Sequence, residues 1–117
     1  MAKMSTNAQR KLEALSEARR KWDRIHSLVE QCGSQQTGQD MFLSQIRRAA
    51  QDVGRVFMSS GNGPLADQAN QMVLATKRGG TIQTKLRPMR ELVASVRVGI
   101  ERAEKAVYDE ERKSLDG

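Results

Sequence analysis

Cys32 and His26 are the single cysteine and the single histidine of this sequence, and their side chains are the natural candidates for nucleophilic or metal chemistry. A thiol activated by an imidazole needs the two groups within hydrogen-bond reach and a third group to orient the base. The spacing of these two argues for no such triad, and a zinc site would need further ligands of this kind. Cys32 falls on an apolar helical position and reads as a small core residue. His26 lies one step off the same stripe.

The carboxylates are more numerous but carry no better signal. Glu101 and Glu104, with Asp109, Glu110 and Glu111, lack the Glu-x-x-His partners from which di-iron bundles build their sites. They read as a solvated acidic face paired with Arg102, Lys105 and Arg112. Gly61-x-Gly63-x-x-Ala66 matches a dinucleotide-binding turn loosely, but that turn needs a preceding strand and a βαβ unit. Only the following helix is credible here, and a helix–helix turn explains the glycines. The expectation is therefore no catalytic, cofactor-binding or metal-binding residue, and a protein that is not an enzyme.

Basic residues form the remaining chemical signal. From Lys77 to Arg90 the charged residues are Lys77, Arg78, Lys85, Arg87 and Arg90, with no acid among them. Cations on a glycine-containing segment can follow a phosphate backbone and release its counterions. Arg19, Arg20, Lys21 and Arg24 make a second cluster, and Arg47, Arg48 and Arg55 a sparser third. Trp22 resembles a stacking residue, but it sits on an apolar stripe and is assigned to the core. Few aromatics are left for the stacking platforms of single-strand binders, and no link has the form of a helix-turn-helix. A nucleic-acid site would therefore use Lys77, Arg78, Lys85, Arg87 and Arg90, helped by Arg20 and Arg24.

These residues must be positioned by helices. Met89, Leu92, Val93, Val96, Ile100, Ala103 and Val107 recur in steps of three and four, on one face of a helix running from Pro88 to Lys113. A first helix is expected from Asn7 to Cys32, with Ala8, Leu12, Leu15, Ala18, Trp22, Ile25, Leu28, Val29 and Cys32 as its stripe. Thr6 and Gln9 have capping-box spacing, and Gly33 suits a left-handed stop. Thr37 and Asp40 repeat the box before a second helix from Gly38 to Ser59, with Phe42, Ile46, Ala49, Ala50, Val53 and Phe57 inward. Ser60 to Pro64 is the clearest break. Gly61 stops helix two, and Pro64 opens a short third helix to Lys77. Pro88 disfavours helix at Arg87, so an irregular link is expected from Gly79 to Arg87, packed down by Ile82 and Leu86.

At 117 residues the chain is one domain by length, with a net charge of +6 that favours solubility and attracts polyanions at long range. Aromatics are limited to Trp22, Tyr108, Phe42 and Phe57, so the core must be aliphatic, Ala and Met. No stretch sustains the alternation of a strand. The fold expected is all-α: a small antiparallel four-helix bundle over residues 6–113, with flexible ends at 1–5 and 114–117. Three long helices plus a short connecting helix is the alternative. Lacking a long apolar run and an apolar signal core, the chain is read as cytoplasmic.

The outer halves of the first and last helices would project beyond the shorter pair. Leu12, Leu15, Ala103 and Val107 then become candidate interface residues, for a protein partner or a second copy. The function expected is a non-catalytic helical interaction module. A nucleic-acid module on the basic segment is the alternative, and no small-molecule substrate is implied.

Overall fold

A computed structural model describes residues 4–35 and 37–116, with the side chains of 114–116 left aside. Four helices follow in order: α1 (Thr6–Ser34), α2 (Gln39–Ser59), α3 (Gly63–Lys77) and α4 (Ile82–Asp116). Residues 1–3 and 117 of the expected flexible ends, and Gln36 of the first connection, lie outside the described residues.

Short links force sequential neighbours to run antiparallel. α1 packs on α2 and α4, and α3 packs on the same two, so the helices form a ring in chain order. This is the expected all-α antiparallel four-helix bundle, 56 × 21 × 17 Å in extent. The stripes meet inside. Trp22, Ile25, Val29, Ile46, Val53, Phe57, Met72, Met89 and Val96 are fully buried. Leu43, not Phe42, is the buried residue of the first turn of α2, and Phe42 packs half-buried at the core margin.

The helix ends differ from expectation in local ways. Ser5, not Thr6, caps α1, its hydroxyl accepting from Ala8 N at 3.1 Å. α1 does not stop at Gly33 but runs on to Ser34, and α4 packs against that glycine. A Cβ there would come within 3.1 Å of Leu86 Cδ1 and of the Arg90 guanidinium. α2 starts after Gly38, which is left-handed at φ 77°, with no side-chain cap from the Thr37 box. Gly61, at φ 79°, ends α2 as expected. Asn62 N–H donates to Phe57 O at 2.7 Å and Gly61 N–H to Met58 O at 3.2 Å, the paired bonds of a Schellman stop.

The largest correction concerns Gly79 to Arg87. α4 is regular from Ile82, with Pro88 inside it. A proline there removes one helical hydrogen bond and costs about 3 kcal/mol in an isolated helix. The stripe continues backward through Leu86, which is buried, and Ile82, which packs on the core, and burying that pair outweighs the cost. Thr81 completes the start. Its carbonyl accepts from Lys85 N at 3.3 Å and its hydroxyl from Thr84 N at 3.4 Å.

Candidate interaction surfaces

α1 and α4 are longer than the other two and extend past the α2–α3 turn as a two-helix arm. A separate small cluster fills it: Ala8, Leu15 and Val107 are buried, with Leu12 and Ala103 half-buried against them. Leu15 is 1% and Val107 8% exposed, so these two candidate interface residues cover each other within the chain. Ion pairs lace the arm. Lys11 meets Glu110 at 3.8 Å, and Arg19 pairs with Glu104. Ser5 N–H and its hydroxyl both donate to Glu111. Three of these acids, Glu104, Glu110 and Glu111, thus face α1 or its cap rather than the bases on their own helix. Among the described residues, Lys105 with Asp109, at 3.7 Å, is the one ion pair within that acidic stretch.

The basic candidates are distributed over several faces. Arg90 makes a two-pronged bond to Glu30 across the α1–α4 seam, at 3.2 and 3.3 Å. Arg87 pairs with Glu91 at 3.4 Å. Lys85 lies close enough to Cys32 to act on its charge. Lys77 and Arg78 are exposed at the end of α3, and Arg78 lines the α3–α4 groove beside Leu74 and Pro88. Arg20 and Arg24 are exposed on α1. Arg24 joins Lys21 and Arg48 in the α1–α2 groove, with Asp52 also on its wall. Among the described residues, Arg20, Arg24 and Arg48 form no ion pair.

His26 and Cys32 face different surroundings. Arg97 donates to Asp23 Oδ1 and to His26 Nδ1, each at 3.2 Å, which leaves the proton of a neutral imidazole on Nε2. Cys32 is fully buried, and burial pushes its thiol pKa up while Lys85 pulls it partly back. Among the described residues no three His, Cys, Asp or Glu side chains converge as a metal site would require. None of the described helices is long and apolar enough to cross a membrane.

The α3–α4 seam is the least extensive of the four. Its groove is lined by Leu65, Ala94, Val98, Gly99 and Ala103. Leu65 sits where a side chain at 99 would be, so the glycine lets α3 approach. Gln68 donates to Ser95 across the groove at 2.8 Å. Val98, 44% exposed, lines it, and Leu74, 52% exposed, lines the next hollow along the same seam beside Pro88 and Leu92. Neither was a sequence candidate. Val98 was visible as an apolar residue off the buried stripe of its helix, beside Ala94 and Gly99. Arg48 could be tied to Arg24 only once α1 and α2 were paired. Compared with known proteins, the chain matches no family model, no curated protein and no solved structure.

Proposed function

We propose that the protein is a non-catalytic helical interaction module that self-associates through apolar helical surface outside its own core. The supporting observation is the α3–α4 face, where Val98 stands exposed beside a groove floored by Leu65 and Gly99, and Leu74 stands exposed beside the next hollow along the seam. Large exposed aliphatic side chains beside small ones make a surface on which another helix can seat. The arm contributes less, since Leu15 and Val107 are already covered. Sedimentation equilibrium of the full chain over a wide concentration range tests the reading. A mass rising from one chain toward two is expected, and a monomer at every concentration overturns it.

A second reading is nucleic-acid binding, supported by the α1–α2 groove, where Arg24, Lys21 and Arg48 come together. Contacts of this kind go to phosphates, with strong salt dependence and little sequence preference. Anisotropy of labelled duplexes and single strands, at about 50 and about 200 mM salt, tests it. Binding that collapses at the higher salt and is lost in Arg24→Gln with Arg48→Gln favours this reading. No binding at either salt removes it.

A further inference from the structure

The outer face of α4 carries one continuous stripe that the bundle does not use. Arg87, Glu91, Ala94, Val98, Lys105 and Asp109 follow in steps of four, three, four, seven and four, so they share the face opposite Met89, Val93, Val96 and Ile100. All are exposed except Asp109, which is half-exposed. The centre of the stripe holds Ala94 and Val98, with Arg102 one turn beyond Val98, and its ends are charged. Toward the N-terminus Arg87 pairs with Glu91; toward the C-terminus Lys105 pairs with Asp109.

The order of these charges is what gives the stripe a partner. Counted from Val98, Glu91 and Lys105 each lie seven residues away, and Arg87 and Asp109 each lie eleven away. When a second α4 is laid antiparallel on the first with Val98 against Val98, the four charges at 87, 91, 105 and 109 meet their opposites. Glu91 faces the second copy's Lys105, and Arg87 faces its Asp109. The two-fold axis makes each match occur twice. Ala94 falls opposite the aliphatic stem of Arg102, which has no ion pair among the described residues. A parallel arrangement at the same centre would set like charge against like at all four positions.

We infer that the outer face of α4, from Arg87 to Asp109, is a homodimer interface, taking a second copy of this chain antiparallel and centred on Val98. This rests on the self-association reading above and supplies its surface and register. The strip is one helix wide, so the buried area lies at the low end for specific interfaces, and the dimer is weak and reversible. Exposed ion pairs add little affinity and mainly select the orientation. Val98 and Ala94 provide the contact that excludes water.

Sedimentation equilibrium of the full chain and three variants tests this, with circular dichroism verifying that each remains folded. The wild type is expected to dimerise, Val98→Asp to stay monomeric, and Glu91→Lys to weaken the dimer at least about tenfold, as like charges face each other twice. Adding Lys105→Glu to Glu91→Lys restores attraction in the antiparallel register and recovers most of the loss. A dimer that persists in Val98→Asp, or a double variant no better than the single one, overturns the α4 interface while self-association stands. A wild type that is monomeric throughout overturns both.

Discussion

The indole of Trp22 donates to the backbone carbonyl of Val93 at 3.1 Å, joining α1 to α4 inside the core. Trp22 is fully buried, so its N–H needs a partner within the protein, and a helix carbonyl with a spare lone pair provides one. This contact sets the register between the two helices that build the arm and, with α4, the outer face.

Trp22→Phe loses that hydrogen bond and some volume but strands no donor, so a cost of about 1–3 kcal/mol is expected. Trp22→Ala is expected to cost about 3–5 kcal/mol. Urea unfolding measures both. A Trp22→Phe variant as stable as the wild type would mean that the ring edge, with its N–H, contributes nothing.

Two helical glycines are expected to respond with opposite sign. A Cβ at Gly54 would meet Ala69 Cβ at 3.7 Å, ordinary contact, so Gly54→Ala gains about 0.5–1 kcal/mol from helix propensity. At Gly99 a Cβ would collide with Leu65, and Gly99→Ala loses about 1–3 kcal/mol as Leu65 is displaced from its buried seat. Thermal or urea denaturation of both variants decides, and matching signs would contradict the packing described.

Pro88→Ala restores an N–H in the middle of a regular helix. The expected gain is about 1–3 kcal/mol, because the backbone already follows α geometry there and needs no rearrangement. Amide exchange around Lys85 to Met89 slows in step. A loss of stability would mean that the proline ring contributes more to the α3–α4 groove, which it lines, than the missing bond costs.

Cys32 makes the alkaline limit of stability partly local. Burial holds its thiol above the ordinary value of 9.0, with Lys85 opposing. The unfolded chain ionises this thiol near 9.0 and the folded chain only at higher pH. Its contribution is therefore whole below the unfolded value and is lost as pH rises through the folded one. Cys32→Ala is expected to flatten this alkaline fall in urea midpoint. Native Cys32 reacts with a thiol reagent only through opening of the bundle, and equal rates with and without denaturant would contradict its burial.

Periodicity makes the bundle legible in the sequence, since one apolar stripe per helix is a strong physical demand. What could not be read depended on contacts between helices. Gly33 has the local character of a stop, but it lies within α1, where Leu86 and Arg90 pack so close that a side chain would crowd them. Pro88 obeys a local rule that the burial of Leu86 overrides. The arm was legible as a projection of α1 and α4, but not the degree to which Leu15 and Val107 cover each other. The basic candidates were chosen by proximity in sequence. Folding separates Arg24, Arg78 and Arg90 onto three seams and brings Arg48 to Arg24. The outer stripe of α4 is not legible in the sequence, because its centre offers only two apolar residues, Ala94 and Val98, beside Arg102, and its charges gain meaning only when set against a reversed copy.

Intermolecular paramagnetic relaxation tests the central claim most directly. A chain carrying a nitroxide on Arg112→Cys is mixed with an equal amount of isotope-labelled wild type. In the antiparallel register centred on Val98, position 112 of one copy lies opposite Thr84 of the other, equidistant from the centre. Broadening of amides from Thr84 to Arg87 in the labelled chain is the expected result. Broadening centred on position 112 itself, or at Leu12 on the arm, or none at concentrations where the wild type is dimeric, would contradict it.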